Sequence, residues 1–132
     1  MQKIKPQFYE QVFKSPLEFY DYEDLLGQGK YRGEIKDDKP HGVGIIRWNN
    51  GMKYLGEWKE GLMDGKGIMY LENDTIETFL SMISGNLTGK AIYHYDSGIR
   101  MEGMFAHNIK TGLWRIYKPT GSIIEEVGEK IQ

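Results

Sequence analysis

The chain has 132 residues, enough for one domain with one core and too few for two. Its 17 basic and 19 acidic residues give a net charge of −2 and are interleaved along the chain, so it lacks the broad positive field that draws nucleic acid or an anionic membrane. The absence of Cys removes disulfides, thiolate catalysis and Cys-ligated zinc and fits a cytoplasmic setting, while no apolar run suggests a leader or a membrane span.

Residues 1–30 form the first segment. Phe8, Tyr9, Val12 and Phe13 lie between Pro6 and Pro16 at a spacing that predicts one or two helical turns with an apolar face. Phe19 to Leu26 then reads as the second strand of a half-repeat that turns at Gly27 to Gly29. So many aromatic residues need something to pack on. A cap on the following sheet is favoured over an arm that anchors a partner, because stacked repeats need caps.

From Tyr31 onward the chain repeats. Tyr31-Arg32-Gly33-Glu34 recurs 23 residues later as Tyr54-Leu55-Gly56-Glu57, and Gly42, Gly44 and Ile45 recur as Gly65, Gly67 and Ile68. One residue inserted near position 86 restores the register, after which Gly89 answers to Gly65 and Gly103 to Gly56. Four units result, 31–53, 54–76, 77–100 and 101–121, followed by a tail over 122–132. The last unit has Trp114 where a second glycine would stand after Gly112.

Each unit holds two short runs of strand character, such as Met52 to Lys59 and Lys66 to Leu71, so the expected fold is all-β, a single elongated antiparallel sheet of consecutive hairpins. Alternation puts Tyr54, Gly56 and Trp58 on one face, with an aromatic ring free to lie over a strand glycine. Turns are expected at Asn49-Asn50-Gly51, Asp96-Ser97-Gly98 and Pro119-Thr120-Gly121, and around Leu62-Met63-Asp64 between Gly61, Gly65 and Gly67. Ser122 to Ile131 reads as a last edge strand whose acids discourage aggregation.

The run Tyr54, Gly56, Glu57, Trp58, Gly61, Gly65 and Gly67 resembles the MORN (membrane occupation and recognition nexus) repeat, and the Gly112-Leu113-Trp114 unit resembles the variant frequent in bacterial proteins. The resemblance implies a hairpin ribbon that binds and does not catalyse. It implies a protein-binding scaffold or adaptor in a cytoskeletal or ciliary assembly, with phosphoinositide contact and a bacterial antitoxin-like binding role as alternatives. Tyr31, Gly33, Gly42, Gly44, Gly56, Gly65, Gly67, Gly103, Gly112 and Trp114 are expected to build the fold.

Partner contact is expected at Phe8, Tyr9 and Phe13, at the groove rings Tyr54 and Trp58, and at Phe79 and Leu80 in the third unit. There Glu77-Thr78-Phe79-Leu80-Ser81 replaces the consensus and Phe79 takes the glycine position. No chemistry assembles elsewhere. His41, His94 and His107 have no metal-ligand spacing, and His41 and His107 are expected as exposed turn residues. Ser81 and Ser84 lack a His-Asp arrangement, and Gly27-x-Gly29 and Gly42-x-Gly44 open no helix, so no enzyme activity and no cofactor are expected. The partner is a protein, with membrane lipid ranked below it and nucleic acid excluded.

Overall fold

The computed structural model describes residues 19–24, 26–71 and 74–128. They form an antiparallel sheet in one layer, in chain order: β1 (Tyr20–Asp24), β2 (Gly27–Lys36), β3 (Lys39–Trp48), β4 (Lys53–Lys59), β5 (Leu62–Leu71), β6 (Ile76–Ile83), β8 (Gly89–Tyr95), β9 (Arg100–Ala106), β10 (Ile109–Tyr117) and β11 (Ile123–Gly128), with the short β7 (Asn86–Leu87) pairing β6. The hairpin ribbon read from the repeat is therefore the fold. The proposed helical turns over Phe8 to Phe13 lie outside the described residues.

Within each unit the hairpin closes through two residues that both have positive φ: Asp37 and Asp38, Glu60 and Gly61, Ser84 and Gly85, His107 and Asn108. Two such residues match the right-handed twist of the flanking strands. Between units the connection is wider. At Asn49-Asn50-Gly51 the Gly51 N–H donates to the Trp48 carbonyl (3.0 Å), and Gly98 and Gly121 repeat this bond with Tyr95 and Lys118.

Three local readings change. Leu62-Met63-Asp64 belongs to β5, because Glu60-Gly61 already makes the turn and Gly65 sits at a bulge inside the strand. Gly27 and Gly29 lie in β2, since Asp24 already pairs with Gly27 and the reversal precedes both glycines. His107 is an exposed turn residue, but His41 is a half-buried residue of β3, close enough for its Nδ1 to accept from the Glu60 N–H.

The extra residue also moves. The two-residue turns at 60–61 and 84–85 are of equal length, whereas residues 72–75 span Leu71 to Ile76 where 49–51 span Trp48 to Met52. Glycines then align as Gly33, Gly44, Gly56 and Gly67 across β2 to β5, and the next residue in that row is Leu80. Phe79 thus falls one position off the glycine row and faces the other way, beside Ile68. Nothing in Glu77 to Ser81 carries a landmark that could have fixed the register.

Both faces are apolar over part of the sheet. One face holds Tyr31, Ile46, Trp48, Tyr54, Trp58, Met63, Met69, Leu80, Met82, Ala91, Phe105 and Trp114. The other holds Val43, Ile45, Leu55, Ile68 and Tyr70, with Phe19 and Phe79 against them.

An aromatic face that ends in an open bay

The tyrosine of each regular unit lies flat over glycines. A Cβ on Gly44 would sit within the Tyr31 ring, and one on Gly67 would meet the Tyr54 ring 2.5 Å from its Cζ. The ring replaces the side chains that those strand positions lack, while the glycines let the strands approach closely. Each phenol reaches past its glycine: Tyr31 donates to the Glu34 carbonyl at 2.7 Å and Tyr54 to that of Glu57 at 3.0 Å. Burial raises the Tyr54 pKa well above the usual phenol range, and the Glu57 carboxylate adds to the effect.

The glutamate after each glycine is structural too. Glu34 accepts the Val43 N–H at 2.9 Å across a bulge, at the point where Gly42 leaves room for its carboxylate. Gly65 leaves the same room for Glu57. Trp58 is the hub of this half, set edge-on to Tyr22, Tyr31 and Tyr54 at 6.4, 5.3 and 5.5 Å and donating Nε1–H to the Gly44 carbonyl at 3.1 Å.

Tyr54 and Trp58, expected as contact rings, are 0% and 3% exposed. They form the interior of the ribbon, and a partner could touch them only by opening it. In the third unit Thr78 stands in the tyrosine row and Leu80 in the glycine row, so the bulk passes from one row to the next and the face stays filled. Leu80 is buried there and Phe79 is half-buried on the opposite face, its ring 4.8 Å from that of His94 and tilted 59° to it. The structure therefore does not bring Phe79 and Leu80 to one surface. Phe8, Tyr9 and Phe13 lie outside the described residues.

The fourth unit is built differently and is open. Met101 stands in the tyrosine row, and the ring comes from Trp114, which covers Gly103. Phe105 meets Trp114 edge-on at 5.2 Å and Tyr93 lies 5.8 Å away. Met101, Lys110, Thr111, Gly112, Trp114, Val127 and Gly128 line an open cavity of about 490 Å³.

Opposite Gly42, Gly65 and Gly89 stand Trp58, Met82 and Phe105. The corresponding position beside Gly112 is Glu129, which lies outside the described residues. The Lys110 ammonium lies 4.9 Å from the Trp114 ring and 5.5 Å from that of Tyr93 at the mouth of the bay. Trp114 Nε1 is buried and has no acceptor among the described residues. Val127, which lines the bay, is 47% exposed.

Sequence reasoning missed this bay. Among the described residues no group of three or more His, Asp or Glu side chains could hold a metal, and no helix is long and apolar enough to cross a membrane.

Comparison with known proteins agrees with this geometry. The MORN repeat family pattern matches residues 31–53 and 54–76. The chain is 32% identical over 96 residues to Alsin of Rattus norvegicus, covering 69% of this chain and 6% of Alsin, and 32% identical over 91 residues to Alsin of Homo sapiens, covering 66% and 6%. It is 28% identical over 97 residues to the ALS2 C-terminal-like protein of Homo sapiens, covering 70% of this chain and 10% of that one. The chain thus spans a small fraction of these relatives. Consecutive hairpins, tyrosine rings seated on strand glycines and the matched repeats together make this chain a MORN-repeat protein.

Proposed function

We propose that this chain is a non-enzymatic protein-binding adaptor and that its partner seats a large apolar side chain in the bay beside Trp114. The observation that carries this reading is the contrast along one face. Tyr31, Tyr54 and Trp58 fill their part of that face and are buried, whereas beside Trp114 the described residues line an open cavity of about 490 Å³ at whose edge Val127 is 47% exposed. Interface cores favour such aromatic and aliphatic anchors. The proposed setting is a cytoplasmic assembly of cytoskeletal or ciliary type.

The charge distribution favours a protein over a phosphoinositide surface. Lys30, Lys53, Lys90, Arg100 and Arg115 each face a carboxylate, from Asp21, Asp74, Glu102, Glu102 and Glu126 respectively. A lipid headgroup site needs basic side chains that are clustered and uncommitted.

Affinity purification from the source cell, with the original chain and with Val127→Glu, tests the proposal. Val127 lines the bay on β11 and is 47% exposed, so the substitution leaves folding intact. A stoichiometric protein retained by the original chain and lost with Val127→Glu supports it. Equal retention by both removes the bay as the contact, and salt-sensitive sedimentation with phosphoinositide vesicles alone would favour the lipid alternative.

A further inference from the structure

The first unit seats one of its own carboxylates in its strand bulge. Glu34 accepts the Val43 N–H at 2.9 Å, and its carboxylate occupies the space that a Cβ on Gly42 would take. Glu57 lies the same way in the second unit, its Oε2 2.6 Å from where a Cβ on Gly65 would stand.

The third unit keeps this cradle without its glutamate. Ser81 stands in the glutamate position, Gly89 in that of Gly42 and Gly65, and Lys90 follows Ser81 by nine residues, as Val43 follows Glu34. The backbone is alike, with φ of +77° at Gly89 against +86° at Gly42 and +102° at Gly65. Pairing of β6 with β8 ends at Phe79 and Ile92, so Lys90 lies beyond that ladder, as Val43 lies in the break between β2 and β3. The space itself is open. A Cβ on Gly89 would meet nothing within 4 Å.

Charge around the cradle suits an anion. Lys66 pairs directly with Ser81, which sets the two Cβ atoms about 5 Å apart. It is exposed and forms no ion pair among the described residues. Lys90 stands on the other side, its ammonium 3.8 Å from Glu102, which is held more closely by Arg100 at 2.6 Å.

We infer that this cradle receives an aspartate or glutamate side chain of a protein partner, whose carboxylate accepts the Lys90 N–H and faces Lys66. A carboxylate is the group that the first two units hold against the same backbone, and its bond to a backbone N–H is charge-assisted. Lys66 and Ser81 are two residues along from Ile68 and Phe79, so the cradle lies on the face opposite the bay and does not depend on it. Only the protein source of the carboxylate rests on the adaptor reading above.

The test is titration of the isotope-labelled full chain with capped glutamate, acetylated at its amine and amidated at its α-carboxyl, at constant ionic strength and with capped glutamine as the neutral control. The expected result is a saturable downfield shift of the Lys90 amide proton with glutamate and none with glutamine, with binding weakened about threefold by Lys66→Gln. In Ser81→Glu the built-in carboxylate should move that amide downfield at the outset, raise the unfolding midpoint by about 5 °C and abolish the response. No saturable shift, an equal shift with glutamine, or a response that survives Ser81→Glu would overturn the inference. Tighter binding of inorganic phosphate than of capped glutamate would overturn the assignment to an acidic side chain. The titration uses no partner, so its outcome is separate from that of the bay variant, and a captured partner that binds Ser81→Glu as tightly as the original chain would overturn the protein source alone. If Ser81→Glu fails to fold, the original chain and Lys66→Gln still decide.

Discussion

The indole of Trp114 covers Gly103 on the preceding strand, the reverse of the first two units, where Tyr31 covers Gly44 and Tyr54 covers Gly67 on the following strand. Ring and glycine are complementary, so which strand supplies the ring is immaterial as long as the other supplies the space. Trp114→Gly alone should cost about 3–5 kcal/mol, as for other buried aromatics removed from a core. Adding Met101→Tyr places a ring in the tyrosine row and should recover a substantial part. Urea unfolding of both variants checks this, and a double variant no more stable than the single one would show that the rows are not interchangeable.

Two glycines should separate crowding from backbone strain. Gly67→Ala forces a methyl into the Tyr54 ring and should destabilise by about 2–3 kcal/mol through overpacking. Gly89→Ala meets nothing within 4 Å but must hold φ at +77°, and that costs about 1 kcal/mol. Thermal unfolding midpoints give the order, with the Gly67 variant the lower.

Alkaline stability follows from the buried phenols. Burial raises the pKa of Tyr54, and also those of Tyr93 and Tyr22, the last two with help from Tyr95 and Asp24 respectively. The folded chain keeps these protons at a pH where the unfolded chain releases them, so their contribution is complete below pH 10 and is lost as pH rises beyond it. Above about pH 10, Tyr54 alone should remove about 1.4 kcal/mol per pH unit. Unfolding free energies measured from pH 8 to 12 should fall, and Tyr54→Phe should flatten the decline while lowering stability at pH 8 through loss of its bond to Glu57.

Phe79 tests the face assignment. Half-buried beside Ile68 and Ile92, it should cost about 2–3 kcal/mol when changed to Ala, with partner affinity unchanged because the bay lies on the other face. A loss of affinity without a loss of stability would return Phe79 to a contact surface.

The hairpins, the turns at Gly51, Gly98 and Gly121 and the seating of rings on glycines were legible because each leaves a residue type that little else explains. The third unit was not. Thr78, Leu80 and Met82 replace tyrosine, glycine and tryptophan with side chains that fill the same volume without their identity, so only strand pairing shows that Leu80 and not Phe79 follows Gly67. The rings Tyr54 and Trp58 looked like a binding surface because alternation assigns a face but not its exposure. Packing among Tyr22, Tyr31, Tyr54 and Trp58 closes that face. The bay was hidden for a further reason: no residue type marks the place where Trp114 crosses to Gly103 on the preceding strand and leaves Lys110 at the mouth.

The most direct test of the binding account is amide and indole chemical-shift mapping of the isotope-labelled chain as its captured partner is added. Perturbations concentrated at Met101, Lys110 to Trp114 and Val127, with a large shift of the Trp114 indole N–H as it gains an acceptor, are the expected result. Perturbations confined to β2 to β5, with the Trp114 indole unmoved, would contradict it.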